Sequence, residues 1–352
     1  MAFIFDCKTS FPSYEYSQEE LIDYMGTHFS EHQGAVKKIF KNALVERRHL
    51  SSSLADFNTL SGFEARNQIY QKVAIDLATK NLDYLFNEKK FPIGDVGLII
   101  STTITGLMVP SIEARLMNRF QFHPSVKRLP IFGLGCLAGV ATIARAQDYL
   151  KSHPKQAVLV VATELCSLTL QWNDVSMSNL VGCSLFADGS GAVIIVGDEH
   201  PLKASAKLEI IDTVSSFFPD TERIMGWDIV DEGFRLVLSG DVPLIVKEQL
   251  APAIKQFLDA KKLNMQAIKF VVSHPGGPKV LYAMEESLGI KREMLELSYE
   301  SLKENGNMSS VSVLNVLEKT LNKSKIGSKG DYGLMLAMGP AFCSESILVR
   351  LV

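Results

Sequence analysis

Two apolar patterns divide this chain. Up to about residue 87 apolar positions recur at helical spacing, as in "GFEARNQIYQKVAIDLATKNLDYLF", and "SQEELIDYMGTHF" opens with Ser17 as an N-cap and glutamates in the first turn. That stretch predicts helices. The next stretch carries short, nearly continuous apolar runs, "VGLIIST", "LPIFGLG", "AVLVVATE" and "GAVIIVG", which suit strands buried on both faces. Helical segments such as "SIEARLMNRF" and "AGVATIARAQDYLKSH" lie between them.

After His200 the strands become "LEIIDTVSSFF", "DIVDEGFRLVLSG", "IKFVVSHPGG", "GLMLAMGPAF" and "SILVRLV", with "VPLIVKEQLAPAIKQFLDAK" and "SSVSVLNVLEKTLNK" as helices. Strands alternating with helices in both parts predict mixed α/β layers. The turn-rich "GDEHPLKASA" sets the expected boundary, with halves at residues 1–204 and 205–352.

Composition narrows the class. Of 352 residues, 47% are apolar and 21% charged, and the net charge is −3, which fits a globular enzyme and gives no reason to expect a nucleic-acid partner. The five cysteines (Cys7, Cys136, Cys166, Cys183, Cys343) form no CxxC pair, so neither a zinc site nor a disulfide framework is expected. The opening "MAFIFDCKTSFPSYEY" lacks a basic segment and reaches Asp6 early, unlike a signal peptide. No apolar run is long enough for a membrane span. A soluble cytoplasmic protein is the expectation.

Three reactive or amide side chains stand beside glycines where apolar runs end. Cys136 in "GLGCLAG" reads either as an inert small hydrophobe or as a thiolate at a helix N-terminus. His274 in "FVVSHPGGPKV" reads as a satisfied core histidine or as an imidazole delivered by a strand, and Asn307 in "ENGNMSSVSVLNVL" as a helix cap or a functional amide. Together they make an acyl-transfer set, in which a thiolate attacks, an imidazole maintains it, and N–H groups stabilise developing oxygen charge.

The chain resembles the type III polyketide synthases, the chalcone-synthase-like branch of the thiolase-fold condensing enzymes. The resemblance is carried by "GLGCLAG", "NLVGCSLFADGSGAVIIVG", "SHPGGPKVL", "GNMSSVSVL" and the terminal "MGPAF"; "MGWDIVDEGFRLVLS" is closer to bacterial alkylpyrone and alkylresorcinol synthases. It implies a thiolase-like fold of two similar α/β halves in an α-β-α-β-α core. It also implies Cys136 as acyl acceptor, its thiolate stabilised by a His274 imidazolium, and His274 and Asn307 as donors to the thioester oxygen of malonyl-CoA. Phe186 matches a gatekeeping aromatic, and Leu236 replaces a second aromatic gate, which predicts a wider mouth. Cys166, Thr169, Ser309 and Thr105 match cavity positions.

In "GAVKKIFKNALVERRHL", Lys37, Lys38, Lys41, Arg47 and Arg48 form a basic run. Lys38 and Lys41, with Lys279, are implied ligands of CoA phosphates; a solvated helix face is the alternative. Ala341 stands where the family has a second glycine and is expected only at a negative φ. The implied partners are an acyl-CoA starter of medium or long chain, malonyl-CoA and a second copy reached near Met108 to Pro110, with no metal or organic cofactor. The rival readings are a ketoacyl-ACP synthase of fatty-acid initiation and a Cys-His-Asn hydrolase.

Overall fold

The computed structural model describes residues 1–352. Thirteen strands form: β1 (Ala2–Ser10), β2 (Tyr14–Ser17), β3 (Arg47–Leu50), β4 (Val96–Thr103), β5 (Lys127–Phe132), β6 (Ala157–Leu165), β7 (Asp188–Gly197), β8 (Leu208–Phe217), β9 (Met225–Val230), β10 (Gly233–Leu238), β11 (Ile268–Ser273), β12 (Tyr332–Gly339) and β13 (Cys343–Leu351). Nine of them make one mixed sheet in the order β11-β12-β13-β8-β1-β7-β6-β4-β5; β2 pairs with β3, and β9 with β10 as a hairpin. Every residue of β6 and β7 is buried, as their unbroken apolar runs predict.

Five helices matter for the site: α1 (Gln33–Lys41), α2 (Gly62–Asp83), α3 (Ala138–Ser152), α4 (Met177–Leu185) and α5 (Ser310–Asn322). The helices α3 and α5 are buried over most of their length and join strands from both ends of the sheet in a central core of 33 buried residues. Further helices pack with the sheet in two separate cores. This is the layered α/β, thiolase-like arrangement. No helix is long and apolar enough to cross a membrane.

Two expectations change. The first 87 residues are not all helical, because Ala2–Ser10 is a strand at the middle of the sheet, between β7 and β8. Its polar residues are paired from far along the chain: Lys89 meets Asp6 at 3.1 Å and Glu318 meets Lys8 at 2.9 Å. The run "LPIFGLG" is also not doubly buried, since β5 is the sheet edge and leaves Leu129 and Phe132 exposed. The helix at Gln18–His28 does start at Ser17, with both hydrogen bonds of a capping box.

Candidate active site

Cys136 lies in the single turn Gly135–Leu137 that leads into α3. Gly139, in the first turn of α3, faces the carbonyl of Ser310 so closely that a Cβ there would stand 2.3 Å from the oxygen. This contact seats the start of α3 on the start of α5, and it brings the Ser309 hydroxyl to the Cys136 thiol.

The segment before α5 is the second component. Ser309 has φ 48° and ψ −126°, a left-handed backbone that a non-glycine residue adopts only under constraint. Its N–H donates to Asn307 Oδ1 at 2.8 Å. Asn307 Nδ2 in turn donates to the Gly276 carbonyl at 3.0 Å. The carboxamide orientation is thereby fixed, and the second Nδ2 hydrogen is left for another acceptor. Asn307 does not cap α5, because Ser309 occupies the cap position and no side chain bonds the helix end.

His274 follows β11, its N–H held by the Leu336 carbonyl at 3.0 Å. The ring is buried, yet neither nitrogen has a hydrogen-bond partner. A satisfied core histidine is excluded on that ground. A Cβ on Gly276 would stand 3.4 Å from Nε2, so this glycine lies beside the ring. A continuous contact path thus runs from Cys136 through Ser309, Asn307 and Gly276 to His274.

Burial pushes the Cys136 thiol up to about 11, with the Glu164 charge adding to it and the Ser309 hydroxyl opposing. Burial pushes His274 down to about 4. These shifts favour a thiol and a neutral imidazole, since neither group meets an opposite charge, with His274 buried and Cys136 partly so.

Glu164 is a residue the sequence reading missed. It ends the apolar run of β6 and accepts from Ser310 Oγ at 2.7 Å, Thr105 Oγ1 at 2.9 Å and the Ile104 N–H at 3.0 Å. Burial raises its carboxyl to about 7. Its signal was a lone charge inside "AVLVVATEL". Thr105 is therefore part of this buried polar network behind Cys136. Cys166 and Thr169 bound the one-turn helix after β6, both buried, with Thr169 Oγ1 donating to the Cys166 carbonyl at 2.7 Å. Burial raises the Cys166 thiol well above its ordinary value, and a Cys136 thiolate adds to that shift.

Phe186 and Leu236 are brought together. A Cβ on Gly182 would lie 2.9 Å from Leu236 Cδ2 and 3.3 Å from Phe186, so both flank the last turn of α4. The second missed residue is Trp227, the cross-strand partner of Leu236 in the β9–β10 hairpin. Its indole lies 5.9 Å from the Phe186 ring, centroid to centroid. Leu236 also lines a surface groove of about 810 Å³ with Trp172, Arg66 and Arg235.

Lys38 and Lys41 are exposed in the last turn of α1, and Lys279 is exposed just past the His274 loop. Arg48, from the same basic run, is only 1% exposed and faces inward. Ala341 adopts φ 56°, contrary to expectation. Its carbonyl accepts from Thr221 at 2.8 Å, and left-handed backbone costs an L-residue about 1–2 kcal/mol.

A cysteine, a histidine and an asparagine from three segments are thus linked within a thiolase-like fold. Residues 1–199 and 209–352 match the N-terminal and C-terminal domains of the chalcone and stilbene synthases. The chain belongs to that family and is a type III polyketide synthase, an acyltransferase that condenses malonyl-CoA. It is 37% identical to a putative chalcone synthase of Bacillus subtilis, over 99% of this chain and 98% of that one. It is 35% identical to a 1,3,6,8-tetrahydroxynaphthalene synthase of Streptomyces peucetius, over 97% and 91%. The crystal structure of the 1,3,6,8-tetrahydroxynaphthalene synthase of Streptomyces coelicolor superposes with a TM-score of 0.91 at 27% identity, covering 99% of each chain. The type III polyketide synthase domain of Steely1 from Dictyostelium gives 0.92 at 29%, covering 100% of this chain and 99% of that domain.

Proposed function

We propose that the chain extends a medium- or long-chain fatty acyl-CoA starter with malonyl units and closes the product as an alkylpyrone or alkylresorcinol. Cys136 Sγ attacks the starter carbonyl, its proton passes to His274, and CoA leaves as the thiol after taking that proton. Malonyl-CoA then loses carbon dioxide, and the electron pair of the broken bond moves onto the thioester as an enolate. A His274 N–H and the free Asn307 N–H hold the enolate oxygen. The enolate carbon attacks the Cys136 thioester, a carbon–carbon bond forms, and the sulfur leaves. The observation that carries this reading is the contact path from Cys136 to His274, with acceptor-seeking nitrogens left at one end.

The starter class rests on the non-aromatic Leu236 and on Cys166, beside which an alkyl chain gains about 0.8 kcal/mol per buried methylene. Lys38, Lys41 and Lys279 are assigned to the CoA phosphates on exposure and charge. A second copy of the chain is assigned to the loop at Val109, which is 96% exposed although Asn67 clamps Leu107 on both sides and Arg115 holds the Pro110 carbonyl. Incubating purified protein with labelled malonyl-CoA and a starter panel tests the reading. Alkylpyrone or alkylresorcinol masses from fatty acyl-CoAs, lost in Cys136→Ala, are expected. Preference for aromatic starters overturns the starter class, and activity only with carrier-protein substrates overturns the CoA assignment.

A further inference from the structure

The carbonyl groups that end α4 are all occupied, two of them by buried side chains. A helix C-terminus leaves its last carbonyls without intrahelical partners. Here Gly182 is met by the Phe186 N–H at 2.8 Å, and Leu185 by the Asn307 N–H at 2.7 Å. Arg48 Nη1 donates to both Cys183 and Phe186, each at 2.8 Å. Its Nη2 donates to Gln18 Oε1 at 2.5 Å, and Gln18 Nε2 reaches the Ser184 carbonyl and the Phe40 carbonyl, each at 3.1 Å. Arg48 and Gln18 therefore form a buried clasp between the end of α4 and the last turn of α1.

The clasp bears on the site through the backbone. Phe186 and Asn307 form a parallel bridge, closed by the Ala187 N–H on the Asn307 carbonyl at 3.0 Å. Holding the Phe186 carbonyl thus holds Asn307 as well. Burial draws the guanidinium down to about 10, so it stays cationic at neutral pH, which suits the negative end of a helix.

We propose that Arg48 is a positioning residue for condensation: its guanidinium pins Phe186 and, through the bridge, Asn307, in the geometry that decarboxylation and attack require. The assignment rests on the roles given above to those two residues. A lysine keeps the charge but cannot fork across two carbonyls and Gln18.

Arg48→Lys is expected to lower kcat for condensation about 10- to 100-fold, in line with small displacements of reacting groups. KM for malonyl-CoA should stay within about twofold, since the substrate's phosphate end is not held by this residue. A second readout does not depend on turnover. Trp172→Phe leaves Trp227 as the sole tryptophan, with its indole against Phe186. Adding Arg48→Lys to it should move Trp227 emission and increase its quenching by acrylamide. Gln18→Ala, which frees one guanidinium nitrogen, should act in the same direction with smaller size and serves if Arg48→Lys does not fold. Unchanged emission, or equal losses in kcat and folded fraction, overturns the proposal. No product from the unsubstituted enzyme would instead overturn the condensing role, and the fluorescence arm would still decide the clasp.

Discussion

Asn307 Nδ2 donates to the carbonyl of Gly276 at 3.0 Å, and this bond ties the segment ahead of α5 to the loop that carries His274. Asn307→Asp keeps the shape but at neutral pH replaces both donors with acceptors. Decarboxylation of malonyl-CoA should fall on the order of 100- to 1,000-fold, as when an oxyanion donor is lost. Acetyl-CoA release without starter measures this step, and wild-type rates in the variant would remove Asn307 from the donor set.

Glu164 makes stability depend on pH. Its folded carboxyl is raised from 4.5 to about 7 by burial, so between these values the folded chain holds a proton that the unfolded chain has lost. The associated stability is complete below 4.5 and is lost as pH rises through about 7. Glu164→Gln removes the titration while keeping a donor for Ser310 and an acceptor for Thr105. Thermal midpoints at pH 5 and pH 8 should therefore lie closer together in the variant than in the parent. An equal or larger spread would contradict the assignment.

Two glycine substitutions should part company. In Gly139→Ala the new Cβ meets the Ser310 oxygen at 2.3 Å, and overpacking of this kind costs about 1–3 kcal/mol. In Gly34→Ala, on α1, nothing lies within 4 Å, and a better helix former gains about 0.5–1 kcal/mol. Urea unfolding of both variants measures the contrast. Only the first should also slow condensation, because it separates Cys136 from Ser309.

Trp227→Ala should enlarge the mouth beside Phe186. Its products are expected to gain whole malonyl-derived units or to accept longer starters, read as product mass. An unchanged product series would place the indole outside the growing chain's path.

Much of this architecture was legible. The four apolar runs named β4 to β7, and the glycines beside Cys136 and His274 marked where strands release reactive side chains. What escaped depends on distant partners. Nothing local in "AFIFDCKTS" announces that Glu318 and Lys89 will neutralise its charges, and so β1 read as part of a helical region. Glu164 drew no notice because its main partner, Ser310, is 146 residues away. Trp227 acquires its place from hairpin register, which sets it opposite Leu236. The upward shift of the Cys136 thiol and the downward shift of His274 likewise come from burial, a property that no short motif encodes.

The central place of β1 has a bearing on biosynthesis. Its two neighbours, β7 and β8, span residues 188–217, so the strand cannot settle while only the first half of the chain has been made. At about 5–20 residues per second, roughly 10 to 40 s pass before those partners leave the ribosome. An apolar segment is waiting throughout that interval. Production of this enzyme should therefore respond to chaperone supply and to growth temperature more strongly than its mature stability suggests.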